Sequence, residues 1–230
     1  MNGFAEVWKG LDWSVLSGLV LGIIPSLLCI TLHELSHGLV AYRLGDDTAK
    51  RAARLTLNPI KHIDPMGLVM MVLFRFGWAK PVPVNMTRFK HPRRDMAITA
   101  LAGPLSNVII AVVFLFLYGL VYRPLYLDSD SALAGALLEM IMRTAYLSLA
   151  LAVFNIVPIS PLDGSKVLFS FLSDEAYYKL MRYERYGMIL LLVLVATGAT
   201  SGFLSTVTGW VYDKLFFIAE FGFDLTNKLP

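Results

Sequence analysis

Long apolar runs separated by short polar stretches dominate this chain. The first run extends from about Trp13 to Leu44, and two more cover residues 96–122 and 132–157. Each exceeds the roughly 20 residues that an α-helix needs to cross a bilayer. Pro25 lies inside the first run and predicts a kink there, because proline removes one helical hydrogen bond. The pattern therefore predicts at least three membrane-spanning helices.

Two further apolar runs follow towards the C-terminus. Residues 186–203 are predicted to form a fourth span, whereas residues 206–223 carry three charged side chains. The last run therefore fits either an interfacial amphipathic helix or a fifth span. Residues 65–78 are apolar but too short to cross, which predicts a re-entrant or interfacial segment. We expect an all-α polytopic membrane protein with four or five transmembrane helices and a re-entrant or extended segment on the cytoplasmic side.

The overall composition supports a membrane protein. Of the 230 residues, 57% are hydrophobic and 16% are charged, and the mean hydropathy is +0.63. A soluble domain has about a quarter of its residues charged. We expect one membrane-embedded domain over residues 1–230, with a core at about 13–172 and a C-terminal part at about 186–230. No small-residue cleavage site precedes the first run, which predicts a retained helix and not a signal peptide.

Basic residues concentrate in one part of the chain. Residues 43–94 hold 11 of the 20 Lys and Arg residues. Cytoplasmic loops of membrane proteins carry an excess of these residues, so we expect this stretch in the cytoplasm and the N-terminus outside. These charges are scattered and flank membrane segments, which argues against a nucleic-acid partner. The single cysteine, Cys29, excludes an intramolecular disulfide and a cysteine-cluster zinc site.

The most specific chemistry lies in the sequence His33-Glu34-Leu35-Ser36-His37, near the cytoplasmic end of the first run. Histidines four residues apart lie on one face of a helix, so both imidazoles can reach one metal ion. Glu34 is placed beside them to take the proton of a metal-activated water. This is the H-E-x-x-H arrangement of zinc metalloproteases. Ionisable residues at membrane depth are costly, which favours a functional site.

A third metal ligand must come from elsewhere in the chain. Catalytic zinc takes three protein ligands and leaves one position open. Asp163 has the best claim among the acidic residues, because the helix pattern breaks at Asn155–Gly164 within the apolar core. The alternative is an aspartate that only forms a turn before Gly164. Cys29, one turn before His33, either approaches the metal or packs as a small apolar residue.

The segment Pro81-Val82-Pro83-Val84 has a different pattern from the rest of the chain. Alternating prolines forbid a helix and a central strand but suit an exposed extended edge. The segment is therefore either a rigid loop or an edge that pairs with the backbone of an extended substrate. Asn107 and Asn155 are candidates for donating a hydrogen bond to an oxyanion. An intramembrane asparagine such as Asn107 also commonly serves in helix packing.

The combined motifs carry a family resemblance. H-E-x-x-H in the first core helix, Ala-Gly-Pro-x-x-Asn, and Asn-x-x-Pro-x-x-Pro-Leu-Asp-Gly resemble the site-2 protease family of intramembrane zinc metalloproteases. The Gly-Trp-Ala-Lys-Pro-Val-Pro-Val-Asn run resembles its short bacterial members, and no insertion is long enough for a PDZ domain. The resemblance implies that His33, His37 and Asp163 bind zinc and that Glu34 is the catalytic base. It also places Asn107 and Asn155 near the site or the substrate.

These observations together predict an intramembrane zinc endopeptidase that cleaves transmembrane segments, with one Zn²⁺ per chain. We expect a multi-pass protein of a bacterial cell membrane, with its active site towards the cytoplasm. Its partners are then the lipid bilayer and a transmembrane protein or peptide substrate. The alternative is a catalytically silent zinc-binding carrier or scaffold. A carrier needs polar residues along a path across the bilayer, whereas the polar groups of this chain cluster at one depth.

Overall fold

The computed structural model describes residues 13–74 and 77–228, and these residues are almost entirely helical. The main helices, numbered in chain order, are α1 Trp13–Arg43, α2 Pro65–Phe74, α3 Pro92–Tyr122, α4 Ala132–Ile156, α5 Asp163–Phe169, α6 Asp174–Arg182, α7 Glu184–Ala196, α8 Ser201–Leu215 and α9 Phe217–Asn227. Within the described part of the chain, β-pairing is limited to one isolated antiparallel bridge between Ile63 and Ala79. The predicted all-α class is confirmed.

Three helices are long and apolar enough to cross a membrane: Val20–Arg43 within α1, Pro92–Leu127 including α3, and Ala132–Ile156, which is α4. They coincide with the three long apolar runs of the sequence. Pro25 lies inside α1, where it is buried. The predicted retention of the first run concerns residues 1–12, which lie outside the described residues.

The C-terminal part differs from the two separate runs that the sequence predicts. The expected span at residues 186–203 stops at Ala196, because the chain turns at Gly198, whose φ of +69° suits glycine. Tyr186–Ala196 and Ser201–Asn227 then form a pair of helices bent by 84°, which together make at most one broken span. The described residues thus contain three or four candidate spans. Helix α8 ends at Leu215, which divides the predicted run at 206–223 between α8 and α9.

Helix α3 lies at the centre of the bundle and packs against α1, α4, α5 and α9. Its contact with α9 depends on small residues. A Cβ at Gly119 of α3 would overlap the carbonyl of Ala219, and one at Gly222 of α9 would lie 2.6 Å from the carbonyl oxygen of Phe116. Small residues let membrane helices approach this closely. The close packing holds α9 directly against α3.

The connection between α1 and α3 contains the short helix α2 and an extended stretch. Helix α2 has 10 residues, which agrees with a segment too short to span. Residues 79–85, called the edge segment below, follow it without helical structure. The N–H of Lys80 donates to the carbonyl of His62 (2.9 Å), next to the bridge between Ile63 and Ala79. The edge segment thus runs across the C-terminal half of α1, where Val82 lies beside Glu34 and Gly38.

Candidate metal centre

The two histidines of the H-E-x-x-H sequence meet at one point inside the bundle. His33 and His37 lie one turn apart on α1, and both are buried. Their Nε2 atoms are 3.0 Å apart, and the rings stand nearly perpendicular, at 85°. Two imidazole lone pairs therefore converge on the same small volume.

Asp163 completes the cluster from the other end of the chain. Its Oδ2 lies 3.1 Å from Nε2 of His33 and 3.2 Å from Nε2 of His37. Asp163 is the first residue of α5, where the chain restarts after the end of α4. Glycine at position 164 lets the start of α5 pack closely against the end of α4. A Cβ on residue 164 would overlap the carbonyl groups of Ile156 and Val157. The Leu-Asp-Gly sequence thus brings a carboxylate up to the two histidines.

The geometry of this cluster fits a zinc ion. The three atoms can hold a metal together, and they are 3.0–3.2 Å apart. Three ligands at about 2.0–2.1 Å from a tetrahedral ion lie roughly 3.3 Å apart, so the cluster needs to expand only slightly. Among the described residues, Asp163 forms ion pairs only with the two imidazoles. A buried carboxylate that faces two neutral imidazoles still needs a positive charge, and a metal ion held by all three groups would supply it.

Groups behind the two rings set which nitrogen carries the proton. Nδ1 of His37 donates to the backbone carbonyl of Thr99 at 2.7 Å, which leaves the Nε2 lone pair free for a metal. The side-chain amide of Asn107 lies 3.1 Å from Nδ1 of His33. Asn107 is fully buried, and its Oδ1 has no partner among the described residues. Both rings are therefore oriented by α3.

Gly103 on α3 leaves the room that the two rings occupy. A Cβ at this position would lie within 2.6 Å of Cε1 of both His33 and His37. Real Cβ atoms do not approach ring carbons this closely, so a side chain at Gly103 would displace the ligands. The glycine of the Ala102-Gly103-Pro104 sequence thus allows close packing of α3 against the metal centre.

Glu34 joins the metal centre to the edge segment. Its Oε2 accepts a hydrogen bond from the backbone N–H of Val82 at 2.8 Å. Glu34, His33 and His37 line a cavity of about 530 Å³ together with Pro81, Val82 and Val84. The predicted base, the predicted ligands and most of the predicted edge therefore share one cleft.

The remaining predicted residues fall at different distances from this cleft. Asn155 lines the cleft, and its Nδ2 donates to the carbonyl of Leu151 at 3.0 Å, which leaves its second N–H free. Asn107 lies behind His33 and is absent from the cleft lining. This position suits a residue that orients the ligand better than one that contacts an oxyanion. Cys29 is buried, and its Sγ contacts the carbonyl of Thr144 at 3.7 Å, away from the three metal-binding atoms, which favours the packing role.

Some residues of the site had no clear signal in the sequence. The Thr99 carbonyl is a backbone group and leaves no trace in side-chain patterns. Lys166 also lines the cleft, and its spacing of three residues from Asp163 would place both on one face of a helix. The role of Gly103 becomes visible only when the helix that packs against the two histidines is known. These are consequences of tertiary packing, which a motif does not encode.

Comparisons with known proteins agree with this geometry. Residues 121–198 match the family model described as peptidase family M50. YwhC of Bacillus subtilis, named as a zinc metalloprotease, is 40% identical over 175 residues, which is 76% of this chain and 80% of YwhC. Rip2 of Mycolicibacterium smegmatis, also named as a zinc metalloprotease, is 28% identical over 219 residues, covering 92% of this chain and 82% of Rip2. No solved structure matches the chain.

The family match and the metal cluster rest on different parts of the chain. The matched residues 121–198 include Asp163 but neither His33 nor His37, while YwhC is similar over most of the chain. The apolar spans and the His-His-Asp cluster agree with both findings. The chain therefore belongs to peptidase family M50, the site-2 protease family, and is an integral membrane zinc metalloprotease.

Proposed function

We propose that this metalloprotease hydrolyses peptide bonds inside transmembrane segments of other membrane proteins, with Glu34 as the general base. The hydrogen bond from Val82 N–H to Glu34 Oε2 carries this proposal. It links the predicted base directly to an extended backbone in the same cleft as the metal ligands. A substrate strand lying along that backbone would reach the base and the metal together.

The chemistry divides between zinc and the side chains of the cleft. Zinc bound by His33, His37 and Asp163 would supply Lewis acidity and make a water molecule acidic enough to react near neutral pH. Oε1 of Glu34 accepts no hydrogen bond from the described residues, so it is free to take the proton of that water. Glu34 then delivers the proton to the leaving amine.

The asparagines take separate parts in this proposal. The free amide N–H of Asn155 is placed in the cleft to donate to the oxyanion that forms at the scissile carbonyl. Binding of a metal through Nε2 of His33 leaves the proton on Nδ1, and that proton needs an acceptor. Oδ1 of Asn107, which has no partner among the residues that the structure describes, becomes that acceptor after a half-turn of the amide.

The edge segment offers a particular set of backbone groups to a substrate. Pro81 and Pro83 have no N–H, and the N–H of Val82 is bonded to Glu34. None of the four carbonyls from Pro81 to Val84 accepts a hydrogen bond from the part of the chain that the structure describes. The segment therefore presents mainly acceptors. An unwound substrate strand would donate its N–H groups to the edge, as in β-augmentation, while its carbonyls stay available for the chemistry.

We place the active site on the cytoplasmic side of a bacterial cell membrane. His33 and His37 precede Arg43, the last residue of α1, by roughly 15 Å and 9 Å along the helix. The basic stretch 43–94 follows directly, and the first turn of α3 packs beside the end of α1 through Met96 and Ala41. The positive-inside rule supports a cytoplasmic position for this end of the bundle.

A Glu34→Gln variant tests the proposal. Glutamine keeps the shape of the side chain and can still contact Val82, but it cannot accept the water proton. We expect the variant to retain zinc and to lose cleavage by at least about 100-fold. Glu220→Gln, an exposed site on α9, is the matched control and should behave as the wild type.

The measurement compares membrane-derived peptide fragments from cells that express wild type, Glu34→Gln or Glu220→Gln. Fragments that end within a transmembrane segment should depend on Glu34 and persist with Glu220→Gln. Identical fragments from the wild type and the Glu34→Gln variant, with zinc retained, would contradict the assignment of the base.

A further inference from the structure

We propose that a second cavity, beside the catalytic cleft, holds the part of a substrate transmembrane segment that is still helical. This inference rests on the proposed intramembrane cleavage. The cavity, called the lateral groove below, has a volume of about 1190 Å³. It lies between α1, α4, residues 59–68 and Tyr212 of α8.

The floor of the lateral groove is a row of small residues on α1. Gly18, Gly22 and Ser26 follow one another at helical spacing and all line the groove. A Cβ added at Gly18 or Gly22 would meet none of the described residues within 4 Å, so within residues 13–74 and 77–228 these glycines face open space. Membrane helices pack most closely on such small residues. The row therefore accepts a helix better than it accepts irregular chain.

The groove is continuous with the catalytic cleft. Ile30, Gly77, Trp78 and Ala79 line both cavities. Ala79 is also the first residue of the edge segment and forms the bridge with Ile63. A chain that leaves the groove at this point thus arrives at the edge segment. Glu34 and the metal ligands line the same cleft as Ala79.

Two buried polar atoms without partners lie where the groove approaches the cleft. Thr31 is 4% exposed and its Oγ1 has no hydrogen bond. Hydroxyls elsewhere in the bundle bond to a carbonyl four residues earlier, as in Ser26, Ser36 and Thr144. His62 is 1% exposed, and its Nε2 donates to the carbonyl of Thr56 while its Nδ1 has no partner.

These two atoms match what an unwinding helix needs. A helix that opens inside a membrane exposes N–H and C=O groups that lipid cannot satisfy. Both atoms are covered by neighbouring protein, so a substrate reaches them only when the junction between groove and cleft widens around it. Thr31 Oγ1 can then donate to such a carbonyl, and Nδ1 of His62 can accept from such an N–H. An unpaired polar group in an apolar environment costs several kcal/mol. The pair therefore favours opening of the substrate helix at the junction between groove and cleft.

The length of the groove fits a partial transmembrane helix. From Gly18 to Thr31 the helix rises roughly 20 Å, about two thirds of a hydrocarbon core that is about 30 Å thick. The remaining third of the hydrocarbon core lies on the side of the metal centre, and there we expect the substrate to be an unwound strand. The substrate is thus a single transmembrane helix whose outer part stays folded and whose cytoplasmic part lies along the edge segment.

The first experiment fills the groove without disturbing the fold. Gly22→Leu places a side chain in open space, and Gly135→Leu makes the same change on α4 away from the groove, where a Cβ also meets nothing. A panel of single-span peptides is offered to the zinc-loaded enzyme in liposomes. The cytoplasmic third of the membrane-spanning part of each cleaved peptide, ~7 of its roughly 20 residues, is then synthesised as a soluble substrate.

We expect Gly22→Leu to lower the ratio of spanning-peptide to soluble-peptide cleavage by at least 10-fold, while Gly135→Leu leaves the ratio unchanged. An unchanged ratio in Gly22→Leu overturns the groove as the docking site. Absence of cleavage of every peptide by the wild type counts instead against the proposed function, so the two failures are distinguishable.

The second experiment detects docking without cleavage. A photo-crosslinking amino acid replaces Ile23, which lines the groove, or Ile24, which does not, in the Glu34→Gln background. The two positions are similarly exposed, at 46% and 50%. A spanning peptide should crosslink at least 10-fold more to position 23 than to position 24. Equal crosslinking, or crosslinks from position 23 to lipid alone, overturns the proposal.

Discussion

The two histidine ligands are held by groups of different kinds. His37 donates to a backbone carbonyl, that of Thr99, which no side-chain substitution removes. His33 depends on the amide of Asn107, which is a side chain. The orientation of His33 is therefore the part of the metal centre that a single substitution can disturb without touching a ligand.

We predict that Asn107→Ala weakens zinc binding by about 10–100-fold, the range typical for loss of a group behind a metal ligand. The measurement is a competition titration of the purified protein with a zinc chelator. Asn155→Ala is the matched control, because Asn155 bonds to its own helix and contacts no ligand ring. Equal zinc affinity in both variants would refute the assigned role of Asn107.

Gly103→Ala tests the close contact between α3 and the two rings. Alanine normally favours a helix over glycine by about 1 kcal/mol, but here its Cβ would overlap both imidazoles. We predict at least a 10-fold loss of zinc affinity. Gly135→Ala, in open space on α4, should keep full zinc content and should not lower the melting temperature. A Gly103→Ala protein with wild-type zinc affinity would contradict this contact.

The sequence predicts the residues of the site better than their surroundings. His33, Glu34 and His37 stand out because three chemical groups with a fixed spacing occur inside an apolar run. Asp163 is recognised because two prolines and a glycine break the helix around it. The structure brings the three ligand atoms together, whereas their catalytic roles stay predictions. Gly103 could not be identified, because a glycine beside a proline indicates a bend until the neighbouring helix is known.

At the scale of elements, the edge segment is held by side chains at several points along one path. Arg54 donates to the carbonyl of Lys80 at 2.7 Å, and Glu34 accepts from Val82. At the far end, Asp46 accepts from the N–H of Asn85 at 2.6 Å. Asp46 is fully buried and also accepts from Thr48. These contacts fix an extended backbone that has no neighbouring strand over most of its length.

Asp46→Ala should loosen the edge segment without touching the metal centre. Hydrogen bonds to a buried carboxylate contribute about 1.5–3 kcal/mol each. We predict that kcat/KM for a spanning peptide falls about 10-fold or more while zinc content stays at the wild-type level. Asp47→Ala provides the comparison, since Asp47 forms surface ion pairs with Arg51 and Arg88 that contribute at most about 1 kcal/mol. Equal kcat/KM in both variants would show that the anchor is dispensable.

The helix predictions agree with the structure where hydropathy alone determines the extent of a helix. They are wrong where a local turn ends the helix. Helices α1, α3 and α4 follow the apolar runs closely. The run at residues 186–203 looks continuous by hydropathy, yet Gly198 adopts a positive φ and ends it early. The position of this turn depends on backbone conformation, which an apolar pattern does not report. The non-helical backbone of Pro81–Val84 was predicted because alternating prolines restrict the backbone directly, whereas its pairing with a substrate stays a prediction.

At the scale of the whole molecule, the metal centre and the basic stretch lie at the same end of the bundle. The exposed Lys90 stands just before α3, at this end. The exposed Asp130 stands between α3 and α4, at the opposite end of α3. Helix α3 has 31 residues, enough to separate the two positions by roughly 45 Å. Labels attached at Lys90 and Asp130 should therefore distinguish the two faces of the membrane.

Labelling with a membrane-impermeant maleimide tests this orientation. We predict that Asp130→Cys is labelled in intact cells and that Lys90→Cys is labelled only after the membrane is permeabilised. The parent chain is a built-in control, because its only cysteine, Cys29, is fully buried and should stay unlabelled. Labelling of Lys90→Cys in intact cells would place the basic stretch, and the metal centre with it, on the outer face.

The two prolines of the edge segment have a consequence for inhibitor design. An ordinary edge strand both donates to and accepts from its partner, so a peptide mimic must reproduce both patterns. Here Pro81 and Pro83 remove donors, and Glu34 occupies the N–H of Val82. We expect N-methylation of a strand mimic to abolish its affinity. Carbonyls away from the metal, apart from one that could meet the N–H of Val84, can by contrast be replaced by groups that accept no hydrogen bond, which gives a chemical route to selectivity over proteases with ordinary edge strands.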